Sequence, residues 1–196
     1  MSPLNKQQLD QIREERREQI KQAALKIFAR HGYAGTKTSV IAAEAGISEG
    51  LIFRYFKSKD ELFTALVQEL LEEARKETGN AQLLPGSPVE QIKAFTEDML
   101  DENNKFAFMF MLRARKEGII PEEAARILEQ NPVDSLLKHL LPVFINGQKS
   151  GQFSAGDPLK LLSWYIYMVN SLIVEEVEQE EHGMPSADFL MRVLMK

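Results

Sequence analysis

Residues 38–62, TSVIAAEAGISEGLIFRYFKSKDEL, constrain this chain more than any other stretch. Val40, Ile41, Ala42 and Ala45 give a short helix with a small apolar face. Thr38 or Ser39 stands where a side-chain oxygen accepts from the free N–H groups of the first turn. Gly46 follows where a chain leaving a helix turns left-handed, a conformation that suits a residue without Cβ. Ile47 is placed to plug the core beneath the turn, and Ser48 to cap a second helix, with Glu49 near that helix's positive end. Ile52 and Phe56, at i and i+4, mark the buried stripe, while Gly50, Leu51, Arg54 and Tyr55 lie off it. Two short helices about a glycine turn form a helix-turn-helix, whose second helix enters the DNA major groove by its N-terminal part.

The net charge of −5 argues against a polyanion partner only until it is divided. Residues 1–60 carry 11 basic and 7 acidic side chains, a net +4, and residues 61–196 carry 13 and 22, a net −9. That asymmetry puts the nucleic-acid surface at the N-terminal end. Cysteine is absent, which excludes a disulfide framework and a thiolate metal site. No apolar run reaches the roughly 18–20 residues of a membrane span, and no signal-peptide pattern opens the chain, so a soluble cytoplasmic protein is expected. The three histidines, His31, His139 and His182, are far apart, and neither a glycine-rich phosphate loop nor a nucleophile elbow is present. Enzyme chemistry, metals and cofactors are therefore not expected.

The rest of the chain also reads helical, for an all-α fold. Residues 1–12 are polar and read as frayed; a first helix is predicted from about Gln11–Glu14 to Arg30, with Ile20, Ala23, Ala24, Ile27 and Phe28 on its apolar face and Gly32 as its stop. Arg13, Arg16, Arg17 and Lys21 either form a solvated face with Glu14, Glu15 and Glu18 or attract phosphates. Ser58 and Glu61 form a capping box for a fourth helix to about Lys76, amphipathic through Leu62, Phe63, Leu66, Val67 and Leu70. Residues 78–88 hold the breakers of a loop. Helices are predicted over 89–103, with Ile92, Phe95, Met99 and Leu100 on one face, and over 106–116, apolar all round and hence buried. Pro121 opens the next helix, and Asn131-Pro132 interrupts it. A further helix runs to about Ser150, with Pro142 inside it and Gly147 and Gly151 at its fading end. Asp157 caps a long apolar helix from Pro158 to about Gln179, and residues 186–195 form a short last one.

From Ile20 to Leu66 the sequence resembles the DNA-binding domain of the tetracycline-repressor (TetR) family of bacterial transcription regulators. The resemblance rests on an amphipathic first helix, the HGY…T link, the IA…AGIS turn, the YF pair and the KSKDEL start of the fourth helix, all in family order. It implies a three-helix DNA-binding domain, residues 1–60, and a divergent helical ligand-binding and dimerisation domain, residues 61–196. It further implies that Thr38, Ser48, Tyr55 and Lys59 hold phosphates, fixing register without reading sequence. Gly50, Leu51 and Arg54 would face base edges, Arg54 in two-pronged contact with guanine and Leu51 against a thymine methyl. Capping remains a second role for Thr38 and Ser48, and packing on the fourth helix an alternative for Tyr55. Glu49 departs from the basic or small residue frequent at its position, so its DNA role stays open.

In the second domain Phe106, Phe108, Met109, Phe110, Met111, Arg113, Trp164, Tyr165, Tyr167, Met168 and Asn170 suit an apolar small-molecule pocket or, one by one, ordinary core. Phe106, Phe110, Met111, Arg113, Trp164, Tyr167 and Met168 are taken as the ligand candidates. Arg113, if buried, needs an anionic partner, either Glu97, Asp98 or a ligand. Residues 161–174 carry more apolar surface than one core face needs, which points to a partner copy; the acidic run Glu175, Glu176, Glu178, Glu180 and Glu181 beyond is a solvated face or a source of repulsion. The expectation is a homodimeric repressor on a palindromic double-stranded operator, released by a small apolar or amphipathic inducer. The alternatives are an all-α small-molecule carrier, or an inducer-independent nucleoid or interaction protein using the same reader.

Overall fold

A computed structural model describes residues 6–81, 85–132, 134–174 and 183–196. Ten α-helices span these residues: α1 Lys6–His31, α2 Thr38–Glu44, α3 Glu49–Tyr55, α4 Lys59–Ala81, α5 Pro88–Leu100, α6 Glu102–Lys116, α7 Glu122–Gln130, α8 Asp134–Lys149, α9 Pro158–Val174 and α10 Ala187–Met191. An isolated antiparallel bridge, Phe153 to Met195, ties the C-terminus to the α8–α9 link. The all-α expectation holds.

α1 starts earlier than its apolar stripe predicts. Residues 7–15 are exposed yet helical, because good helix formers there are joined by side-chain bonds one turn apart, such as Gln11 to Glu15 at 3.0 Å. α4 likewise runs five residues past Lys76, through Thr78, Gly79 and Asn80; once a helix is nucleated, each added residue gains a bond. The expected loop shrinks accordingly, and its residues 82–84 lie outside the described set. At its far end Ser87 and Glu90 form a reciprocal capping box that starts α5.

The helix predicted over 89–103 breaks at Asp101, which is extended (φ −61°, ψ 131°). The Asp101 carbonyl accepts from Asn104 and Lys105 N–H groups at 3.0 and 2.8 Å, so α6 begins there and not at Phe106. Pro121 stands at the N-cap position of α7, one residue before the expected first turn, and its carbonyl accepts the Ala125 N–H at 3.0 Å. Pro142 lies inside α8 as expected. Gly147 lies in the last turn of α8, at its fading end as expected, and is buried there: a Cβ would stand 2.1 Å from Cδ2 of Phe153, so the glycine also admits that ring. The Asp157 carboxylate accepts the Lys160 N–H at 3.1 Å and caps α9. The predicted end of that helix at Gln179 and the acidic run lie outside the described residues.

One hydrophobic core runs through the molecule. Ile20, Ala24 and Phe28 of α1 meet Ile41 of α2, Ile52 of α3 and Leu62, Phe63 and Val67 of α4. Phe110 of α6 enters the same cluster, with its ring centroid 4.9 Å from Phe63 and 6.2 Å from Phe28. α1 packs along α6, α4 along α7, and α5, α8 and α9 along one another.

Candidate nucleic-acid interface

The turn between α2 and α3 forms as its residues dictate. Gly46 has φ 64°, and Ile47 N–H closes on the Ala42 carbonyl at 3.0 Å. Gln19 of α1 donates to the Ala45 carbonyl at 2.7 Å and holds the end of α2. Ile52 and Phe56 are each 1% exposed, so α3 is anchored by the predicted stripe. Arg17 of α1 stacks its guanidinium 4.4 Å from the Phe56 centroid and donates to the Tyr55 carbonyl at 3.3 Å. It thus caps the C-terminal end of α3, where a cation is favoured, a role outside both sequence readings of Arg17.

The predicted caps are only partly made. Lys37, not Thr38 or Ser39, is the N-cap of α2; Thr38 is its first helical residue and its hydroxyl donates to the Glu49 carboxylate. A threonine already inside the helix points its oxygen past the first-turn N–H groups, and the nearest strong acceptor is across the turn. Ser48 is the N-cap of α3 by position, without a side-chain capping bond. At α4 the Ser58 hydroxyl accepts Glu61 N–H at 3.1 Å, while Glu61 reaches back one residue further than a capping box requires, to Lys57 N–H at 2.6 Å.

Glu49, Gly50, Phe53 and Arg54 are exposed on α3, with Leu51 and Tyr55 half-buried. Phe53 was not singled out from the sequence, although it follows Ile52 and must sit about 100° off the buried stripe. At 49% exposure it is a large ring standing free beside Arg54. Lys59 lies at the foot of this surface. Its ammonium donates to the Tyr33 and Thr36 carbonyls at 2.9 and 3.0 Å and sits 4.1 Å from the Tyr33 ring centroid. Two of its three N–H groups thus hold the α1–α2 link. Tyr33 in turn donates its hydroxyl to Asp60 at 2.6 Å, and burial together with that carboxylate pushes its phenol up to about 12. Lys21, 7% exposed, joins α1 to α4 through Glu69 at 2.6 Å; burial works against its charge, but its bonds to Glu18 and Glu69 prevail and raise its pKa.

The ligand candidates do not share one place. Phe110 is 1% exposed in the aromatic cluster with Phe28 and Phe63. Phe106 lies under the Arg30 guanidinium at 4.9 Å, and Met111 and Met168 are half-buried. Trp164 and Tyr167 face outwards, 65% and 70% exposed, because the positions one and two turns apart on α9 that enter the core are Leu162, Tyr165, Ile166 and Val169. The Arg113 Nε is buried without a hydrogen-bond partner. The carboxylates expected to pair with it are engaged elsewhere: Glu97 with Lys93 at 3.7 Å and Asp98 with Asn104 at 2.6 Å. Two surface depressions of about 560 and 670 Å³ lie between α4 and α7, one lined by Arg17, Asp60 and Arg126 among others, the second by Gln68, Arg75 and Asn131. Among the described residues no group of three or more His, Asp or Glu side chains is arranged to hold a metal, and no helix is long and apolar enough to cross a membrane.

Comparison with known proteins places this geometry. Residues 20–66, which hold α2, α3 and their supports, match the family model described as bacterial regulatory proteins, tetR family. Two HTH-type transcriptional regulators of Bacillus subtilis are similar. YerO is 32% identical over 114 residues, covering 55% of this chain but only 38% of its own length. YhgD is 26% identical over 159 residues, covering 79% and 83%. The fold is that of AibR, solved in complex with isovaleryl coenzyme A and operator DNA, with a TM-score of 0.63 at 17% identity over 90% of this chain and 94% of that one. With the helix-turn-helix formed, its outer face open and the family pattern matched across it, residues 20–66 carry the helix-turn-helix of the TetR family of bacterial transcriptional regulators.

Proposed function

We propose that this regulator is a homodimeric repressor that binds a palindromic operator through α3 and is released by a small molecule bound in residues 61–196. The observation that carries the reading is the open face of α3, where Gly50 and Arg54 stand exposed while Ile52 and Phe56 anchor the helix. Gly50 lets the backbone approach the groove, Arg54 reads guanine, and Leu51 meets a thymine methyl. Ser48, Tyr55 and the remaining N–H of Lys59 hold phosphates, and Thr38 joins them once its hydroxyl leaves the Glu49 carboxylate. Selection of bound sequences from a random DNA pool tests this. A palindrome with half-sites roughly 34–36 Å apart is expected; recovery of no preferred sequence refutes it.

The exposed side chains Trp164 and Tyr167, together with Leu159 at 49%, support α9 as the face that meets a second copy. In that reading these two rings leave the ligand set, and Phe106, Met111, Arg113 and Met168 remain. An inducer that acts through linkage must weaken DNA binding by the factor with which DNA weakens the binding of the inducer. AibR, with its isovaleryl coenzyme A and operator DNA, supports a regulator of this fold taking both partners. The burial of Phe110 in the core favours a second reading, a DNA-binding protein without an inducer. Titration of acyl coenzyme A thioesters with and without the selected DNA separates the two.

A further inference from the structure

Glu117 follows α6 and lies half-buried against the link from α1 to α2. One of its oxygens accepts the Tyr33 N–H at 2.9 Å. The other occupies the space beside Gly32, where a Cβ would stand only 1.7 Å from it. Gly32 has φ 67°, so both its backbone and the carboxylate against it require glycine. Past Tyr33 the contacts continue into the start of α4: the hydroxyl meets Asp60 and the carbonyl meets Lys59, which also holds Thr36 just ahead of α2. The neighbouring contacts between α1 and α6, Phe28 with Phe110 and Arg30 over Phe106, involve rings. Apolar contact is non-directional and tolerates small rotations, whereas a backbone N–H seated on a carboxylate in a glycine notch fixes a direction.

We propose that Glu117 is a positioning residue for DNA recognition: its hold on Gly32 and Tyr33 sets the angle of the reader on α6, and therefore the distance between the two readers of a dimer. The proposal rests on the dimeric reading above. Glu117 touches no DNA in this role; it acts through the link.

The chain has no cysteine, so a single Ala43→Cys, exposed on α2, carries one nitroxide per protomer. The distance between the two labels is measured by pulsed electron double resonance on the full chain without DNA. With Glu117→Ala the distance distribution is expected to broaden, and the Tyr33 amide to exchange about tenfold faster, as loss of one hydrogen bond to a charged group implies. Glu117→Gln, whose amide oxygen still accepts, should keep the original distribution. If Glu117→Ala fails to fold, Glu117→Asp, one methylene short of the link, carries the same expectation. Faster Tyr33 exchange with an unchanged distribution overturns the proposal, since a purely stabilising residue would behave that way and would lower only the melting temperature. Absence of any dipolar signal in the parent protein removes the dimer and the proposal with it, and is distinct from an unchanged signal.

Discussion

Thr96 of α5 and Tyr165 of α9 are 0% and 1% exposed, with their hydroxyl oxygens 2.7 Å apart. Thr96 has one proton and donates it to the Ile92 carbonyl at 2.9 Å, so Tyr165 is the donor of the pair. Burial pushes the Tyr165 phenol up, and it keeps that proton. The two ends of the bond are therefore unequal. Tyr165→Phe removes the donor and leaves Thr96 still bonded to Ile92, a loss of about 0.5–1.5 kcal/mol. Thr96→Val keeps the shape but strands a buried O–H without an acceptor, which costs about 1–3 kcal/mol. In the double variant Thr96→Val with Tyr165→Phe nothing is stranded, so it should be more stable than Thr96→Val alone, with a coupling on the order of 1 kcal/mol. Urea unfolding followed by circular dichroism, at one protein concentration, gives the midpoints. If Thr96→Val is no worse than Tyr165→Phe, or the two losses simply add, the assignment of donor and acceptor is wrong.

Three other outcomes are expected. The Tyr33 phenol, at about 12, lies above its ordinary value of 10, so the stability it contributes is complete below about pH 10 and is lost as pH rises towards 12. Thermal melts across that range should show a shallower alkaline decline for Tyr33→Phe than for the parent protein. Arg54→Ala should relax base preference at one position of the selected DNA by about 1–3 kcal/mol, read by competition between single-base variants; an equal loss on every sequence would make Arg54 a phosphate contact instead. Trp164→Glu should yield a monomer in analytical ultracentrifugation, and a dimer of unchanged affinity would take α9 out of the interface.

Local chemistry made the reader legible, and the reasons are specific. Gly46 has its left-handed φ because the turn needs it, and Ile52 and Phe56 are buried because their i and i+4 spacing puts both on the one face turned to the core. Side-chain partners were less legible. Thr38 finds Glu49 across the turn, Lys59 finds two carbonyls, and Arg17 caps a helix 38 residues away, all contacts set by tertiary placement. Boundaries moved where backbone bonds outweighed weak propensity, at Thr78–Asn80, and where a polar residue became a cap, at Asp101. Beyond α4 periodicity fixes that helices form but not which apolar side faces inwards. Trp164 and Tyr165 are neighbours of similar character, and only the packing of α9 on α5, α6 and α8 sends one outwards and the other to the core.

The shared aromatic cluster has a consequence for engineering. Phe110 belongs to α6, yet it closes the hydrophobic centre beneath α2 and α3 through Phe28 and Phe63. A fragment ending at residue 60 would lack Phe63, Leu66, Val67 and Phe110, and its exposed rings would favour aggregation over an autonomous miniature repressor. Chimeras that exchange operator specificity between such proteins should therefore transplant the outward residues of α3 alone, leaving the interior of both parents undisturbed.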